Sequence, residues 1–268
     1  MKTRLRQLLL AVLLSLLLFN WGCNKNTSTG PNDNASISGS GSDYFPLTGN
    51  QIIIGKATGQ SVTYDSLGNV VESQSVSQQE EKGYIGAAVL VGGMQSYPLY
   101  SYNKDGTTTI ATKTFIAQNN QAIVGFSGSS SIAQLVTALP AEINIGTTWI
   151  ANPSDSPNKQ VTLRITDSKS SYTNSTGIVY SNVIKVNGVL SDSTSNVSSG
   201  SGWSYYSLNK TKANVDIYYA KGVGLIDVQI NQYEITQKYW EYYSYSGYNY
   251  YWSSYYRTAT SGTIGRTN

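Results

Sequence analysis

The sequence predicts an all-β protein: a curled antiparallel meander, half-barrel or up-and-down barrel in form, ending in a tyrosine-rich β-hairpin. Three observations carry the prediction. Short apolar or alternating runs recur between turn signals along nearly the whole chain, with pairs such as Asp105-Gly106 and Asn119-Asn120 between them. The nearest thing to an amphipathic helix, Ser131 to Leu139, stops at Pro140 and is either one short helix or a buried strand. Finally, Ser, Thr, Gly, Asn and Tyr dominate and only 12% of the 268 residues are charged, a composition typical of exported β proteins.

The first element, residues 1–22, is read as an export signal. Lys2, Arg4 and Arg6 precede an apolar run from Leu8 to Phe19 that only Ser15 interrupts. As a helix that run would be about 18 Å long, against a hydrocarbon core of about 30 Å, so it does not predict a membrane span. Gly22-Cys23 comes next, and Cys23 is the only cysteine. Its position reads as the acceptor of a bacterial lipoprotein, diacylated and then made the new N-terminus. Asn20 stands where such signals usually carry an aliphatic residue, and an ordinary secretory signal with an incidental cysteine is the competing reading. The adjoining segment favours lipidation: residues 23–43 are polar and rich in Ser, Gly and Asn, a tether between an acylated residue and a folded domain.

Residues 44–236 are read as the β domain. Gln51 to Lys56 is apolar at Ile52, Ile53 and Ile54; Val62 to Tyr64 and Val70 to Glu72 flank the loop Asp65-Ser66-Leu67-Gly68-Asn69. Tyr84 to Val91 reads as a buried strand, and Pro98 to Tyr102 and Thr107 to Thr112 flank Asn103-Lys104-Asp105-Gly106. Thr114 to Ala117 and Gln121 to Phe126 form the next pair, and Val161 to Thr166 alternates with Val161, Leu163 and Ile165 inward. Gly177 to Leu190 holds one or two strands, split near Asn187-Gly188. Ser191 to Ser201 is read as a long polar loop; Ala213 to Ala220 and Leu225 to Ile235 then straddle Lys221-Gly222-Val223-Gly224. Many strands joined by tight turns favour a meander that curls, because closure hides edges.

Composition excludes several chemistries. Histidine is absent, which removes the commonest metal ligand and the usual general base, and lipidation of Cys23 would leave no thiol. The net charge of +3 includes Lys2, Arg4 and Arg6, so the mature chain is near neutral and has no basic stripe for nucleic acid. Asn103-Lys104-Asp105-Gly106 lacks the spaced carboxylates of a calcium loop and is read as a hairpin. Glu80 and Glu81 are adjacent, and Glu234 and Glu241 lie an odd number apart, so on strands neither pair shares a face. No catalytic residue, metal ligand or cofactor is assigned.

Four segments together resemble a family of lipoproteins from Bacteroidetes-type and related bacteria. They are Tyr44-Phe45-Pro46-Leu47-Thr48-Gly49-Asn50; Leu139-Pro140 through Asn144 and Gly146 to Thr147-Thr148-Trp149; Tyr180 to Val186; and Tyr218 to Ile226, which contains Gly222-Val223-Gly224. The resemblance implies a curled antiparallel sheet akin to the half-barrels of periplasmic lipid and lipoprotein carriers, and it implies no catalytic residues. On physical grounds Phe45, Leu47 and Trp149 are expected core anchors, and Gly222 and Gly224 turn or close-approach residues.

The last region, residues 237–268, holds the candidate binding residues. Lys238 to Arg257 is crowded with Tyr239, Trp240, Tyr242, Tyr243, Tyr245, Tyr248, Tyr250, Tyr251, Trp252, Tyr255 and Tyr256, and Ser246-Gly247 is a plausible turn. In a hairpin Tyr239, Glu241, Tyr243 and Tyr245 share one face of the first arm, Trp240 and Tyr242 the other. Tyrosine and tryptophan have apolar bodies and polar tips, suited to sugar rings and interfaces. The competing reading is a hairpin whose tyrosines merely cover the barrel. The sequence therefore predicts a non-catalytic binding or structural module, held to the membrane through acylated Cys23 and contacting glycan or an envelope protein. A carrier of a lipid or apolar ligand on a concave sheet is the first alternative, and a polysaccharide-acting enzyme the second. Asn24 is not the aspartate of the simplest inner-membrane retention signal, which favours the outer membrane, on its periplasmic face or at the cell surface.

Overall fold

The structure, a computed structural model, describes residues 39–45, 47–91, 93–102, 108–118, 120–127, 132–151, 161–243 and 249–268. The export signal, Cys23, Tyr245, Tyr248 and the Asn103–Gly106 turn lie outside them. Among the described residues all regular structure is β: β1 (Gln51–Tyr64), β2 (Val70–Ile85), β3 (Val89–Val91), β4 (Met94–Tyr102), β5 (Thr108–Gln118), β6 (Gln121–Ser127), β7 (Ile132–Leu139), β8 (Thr148–Ala151), β9 (Val161–Thr173), β10 (Val179–Gly200), β11 (Trp203–Ala220), β12 (Gly224–Tyr243) and β13 (Asn249–Arg266). Ser131 to Leu139 thus contributes a strand and no helix.

The strands form one antiparallel sheet in the order β7-β6-β5-β4-β2-β1-β13-β12-β11-β10-β9-β8, with β3 paired to β4. Sequence neighbours are sheet neighbours apart from β3 and the β7–β8 step, and the first long strand pairs with the last: Gly55 faces Arg266 and Tyr64 faces Arg257. The meander is therefore circular, with its single break between β7 and β8. The sheet curls until those two ends touch. No ladder joins them among the described residues; the Trp149 indole N–H on β8 donates instead to the Thr137 carbonyl on β7, at 3.0 Å. A side chain latches the seam that the backbone leaves open.

Alternation sorts every strand into an inner and an outer face. Val186, Ile217, Val228 and Ile264 are inner residues, and with Ala57, Ile85, Leu139, Ile165 and Tyr219 they build the core. One end of the curl is stoppered by residues 39–45, where Phe45 is 0% and Tyr44 3% exposed. This plug is tied to turns on opposite walls: Ser42 N–H donates to the Asn120 carbonyl, Gly222 N–H to the Asp43 carbonyl and Ile143 N–H to the Gly39 carbonyl. Leu47 and Trp149 pack on the same core, as their expected anchor roles require. The turn glycines are as predicted in kind: Gly222 and Gly224 have φ of 73° and 96°, which L side chains rarely adopt.

Three segments differ from expectation. Tyr84 to Val91 is not one buried strand: β2 ends at Ile85, residues 86–88 leave the ladder, and the short β3 leaves Val89 45% and Leu90 78% exposed. Ser191 to Ser201 is no loop: β10 runs to Gly200 and pairs with β11 from Ser191↔Lys212 to Gly200↔Trp203. Serine-rich sequence has little strand tendency of its own, but the aromatic-rich β11 supplies the ladder and the cross-strand surface. Nor does Asn187-Gly188 split a strand. Gly188 sits on the inner face opposite Leu163, where an added Cβ would lie 2.9 Å from a Leu163 methyl.

Candidate functional site

The candidate residues lie where strands outrun their neighbours. β9 leaves β10 at the Leu190↔Val161 pair, and β1 leaves β13 at Tyr64↔Arg257. Beyond those points β10 to β13 continue as four strands: among the described residues 191–200 pair only with β11, and 249–256 only with β12. At about 3.4 Å per residue this blade projects roughly 25–30 Å from the curled sheet. It rises at the end opposite the plug, since β10, β12 and β1 all run away from residues 39–45. None of its described side chains is fully buried, so it is a single layer with two wet faces.

A single layer has no second sheet to cover it and must be held by its cross-strand pairs. On the inner face Trp203 stands opposite Tyr242, and Tyr205 opposite Trp240, which stands opposite Trp252. The Trp240 and Tyr242 rings stack with centroids 5.7 Å apart and planes 2° from parallel. Tyr256 lies on the same face, nearer the core. Tyr239, Tyr251 and Tyr255 lie on the outer face with Tyr206, and the Tyr239 and Tyr251 rings approach to 6.4 Å. Tyr243 and Tyr250 are placed by register alone, opposite Asn249 and Tyr242. The described members of the predicted set are thus brought together on two faces of one platform, while Tyr245 and Tyr248 lie outside the described residues. Trp252 remains 52% exposed, Tyr251 61% and Tyr256 43%.

Sequence reasoning missed the contribution of β11. Trp203, Tyr205 and Tyr206 carry the same composition as the tail but precede it by more than thirty residues, and only the register places them beside it. The available signal was the Trp-Ser-Tyr-Tyr cluster directly after the serine-rich stretch.

Between the aromatic rows and the core the inner wall is polar. One row reads Thr211, Glu234, Thr258, Thr63, Glu72 across five strands, and the next Ala213, Gln232, Thr260, Ser61, Gln74. Hydroxyl pairs bridge β1 and β13 at Thr63 to Thr258, 3.0 Å, and Ser61 to Thr260, 3.1 Å. Glu234 and Glu72 share a face but stand three strand spacings apart, about 14 Å at ~4.8 Å each, beyond the ~5–9.5 Å of glycosidase carboxylate pairs. Glu241 faces the other side from Glu234, as the odd spacing predicts. Among the described residues no group of His, Cys, Asp or Glu could hold a metal.

A second polar cluster sits on the outer face near the plug end. Asp227 is 0% exposed and accepts from Tyr172 Oη–H at 2.7 Å, from Ser175 Oγ–H at 2.6 Å and from Ser175 N–H at 3.2 Å. Burial pushes its carboxyl above the ordinary range, while these bonds pull the other way. Asn174 donates to the carbonyls of Ile226 and Arg266 and accepts from the backbone N–H groups of Thr176 and Ile178. Together they fasten the β9–β10 turn onto β12 and β13. This is structural fastening, with no approach for a ligand through the packed turn.

No protein-family model matches the chain, and no curated protein matches it in sequence.

Proposed function

We propose that this protein is a non-catalytic binding module of the bacterial envelope, anchored by lipid at Cys23, whose aromatic blade contacts glycan. The observation that carries the reading is the inner face of the blade: Trp203, Tyr205, Trp240, Tyr242, Trp252 and Tyr256 on one partly exposed sheet face. Flat rings with polar rims stack on the apolar faces of sugars, and strand spacing presents them as a grid and not as one pocket. The hydroxyl and amide rows beneath them suit sugar hydroxyls. They also favour this reading over a lipid carrier, which would need a large apolar concavity where the wall carries Thr, Ser, Gln and Glu.

Placement agrees. Gly39 lies at the plug end, opposite the blade, so a lipid anchor at Cys23 would join the fold on the side away from the aromatic rows. The outer membrane is the proposed site, and glycan or an envelope protein that carries it the partner.

The test is sedimentation of detergent-solubilised, full-length protein with insoluble β-linked polysaccharide and with peptidoglycan sacculi. Wild-type protein is retained on at least one. Replacing Trp240 and Trp252 together by Ala removes two stacking rings, each worth about 0.5–1.5 kcal/mol, and lowers retention about tenfold. Equal retention of wild type and variant, or retention of neither, would sink the reading.

A further inference from the structure

We propose that two copies of this chain pair edge to edge through the blade, β13 against β13, into one continuous aromatic sheet. The pairing is independent of what the blade binds.

Edges are the exposed liability of any sheet, because their backbone N–H and C=O groups can template another strand. This molecule deals with most of its edges. The ends of the curl, β7 and β8, meet at the Trp149 latch. β2 from Val70 to Lys82 has only β1 as ladder partner among the described residues, and this edge carries the charges of Glu72, Glu80 and Lys82. The blade has two more edges. That of β10, residues 191–200, carries Asp192, an exposed Val197 and otherwise small polar side chains, with no aromatic surface to bury. That of β13 differs. From Asn249 to Tyr256 it has β12 as its ladder partner, and among the described residues no strand lies on its other side until β1 begins at Arg257. The stretch contains no charge, proline or glycine, so the usual guards against edge pairing are missing.

The sequence of this edge names the partner. Tyr250-Tyr251-Trp252-Ser253-Ser254-Tyr255-Tyr256 reads nearly the same in both directions about Ser253. An antiparallel strand meets its own copy across a two-fold axis, and such an interface must be self-complementary. Centred on Ser253, the pairing sets Tyr251 against Tyr255 of the second copy, Tyr250 against Tyr256, and Trp252 against Ser254. Even-numbered residues meet even-numbered ones, so the two inner faces join as one face. The paired stretch, 250–256, fits within the edge and stops short of Arg257, where β1 takes over.

One short strand pair buries less than the roughly 1,000 Å² of a stable interface. The dimer is therefore weak in dilute solution, and confinement on a membrane by the lipid anchor raises its population through effective concentration.

Disulfide trapping on intact cells expressing the full chain tests this. Ser253→Cys lies on the proposed axis and gives a dimer band on mild oxidation. Ser199→Cys, on the opposite edge of the blade, gives none. Adding Tyr255→Lys to Ser253→Cys places a charge on the edge opposite the neutral Gln237 of β12, and the band is lost while the melting temperature is kept. The proposal is overturned by an absent band for Ser253→Cys, by bands of equal strength from both cysteines, or by a band that survives Tyr255→Lys. Polysaccharide sedimentation plays no part in this readout, so glycan binding and edge pairing can each fail alone.

Discussion

Asp227 carries a carboxylate into the outer wall with Ser175, Tyr172 and Gln229 as its donors. Its carboxyl is raised above the unfolded value of 3.8, first by burial. The folded state therefore holds this proton more tightly than the unfolded state, so the stability it contributes is full below pH about 3.8 and falls as pH rises through the folded value. Asp227→Asn is expected to flatten that slope. The check is the difference in melting temperature between wild type and variant at pH 4 and pH 7, which should shift in favour of the variant at pH 7. Asp227→Leu, which leaves the half-buried Tyr172 hydroxyl and the Ser175 hydroxyl without this acceptor, is expected to cost about 1–3 kcal/mol by urea denaturation. Gly265 is the partner constraint. A Cβ there would lie 2.3 Å from Ser175 Oγ and 3.0 Å from Thr176 N, so Gly265→Ala forces the β9–β10 turn away and should destabilise by about 1–3 kcal/mol in the same assay. Nothing local marks Asp227, inside Leu225-Ile226-Asp227-Val228, as buried and bonded. Two of its donors, Tyr172 and Ser175, lie some fifty residues upstream, and only folding unites them with it. Phe45 and Trp149 were legible because a large aromatic in a turn-rich segment has few stable places besides a core.

At the scale of elements, strand existence was legible and strand length was not. β1, β9 and β10 all run longer than their alternating apolar runs, because the polar remainder is paired on a neighbour and needs no buried face. The β1–β2 turn was legible in full: Asp65 Oδ1 accepts from Leu67 N–H and Asn69 N–H, both at 2.9 Å, and Gly68 takes φ 84°. The seam was not legible. Trp149 donates to Thr137 across twelve residues, the only hydrogen bond between β7 and β8 among the described residues. Trp149→Phe keeps most of the packing but removes that donor. It should cost about 1–2 kcal/mol and speed amide exchange in β7 and β8 before the rest of the sheet, as read by hydrogen–deuterium exchange.

At the scale of the whole molecule, the sheet has one plugged, packed end and one thin projecting wall. Stability should be distributed the same way. Amides of β10 to β13 near Val186, Ile217, Val228 and Ile264 are expected to exchange only on global unfolding, while those of the blade exchange through local opening. Phe45, fully buried against Tyr219 at a ring distance of 6.5 Å, anchors the plug that ties three turns together. Phe45→Ala should cost about 3–5 kcal/mol by denaturant unfolding and weaken the whole fold, in contrast to Trp252→Ala in the blade, which should leave the midpoint nearly unchanged.

Local sequence was enough for the β class, the turns at Asp65–Asn69 and Lys221–Gly224, the aromatic nature of the tail and the absence of histidine, because each rests on local stereochemistry or on inventory. It took the folded sheet to establish that the meander is circular and latched at β7–β8, that the serine-rich stretch is a strand, and that the tail belongs to a blade shared with β11. The reason is common to all three. Pairing partners, register and which edge stays uncovered are set by contacts between residues tens to hundreds of positions apart, and no local pattern encodes which of many compatible strands will be the neighbour.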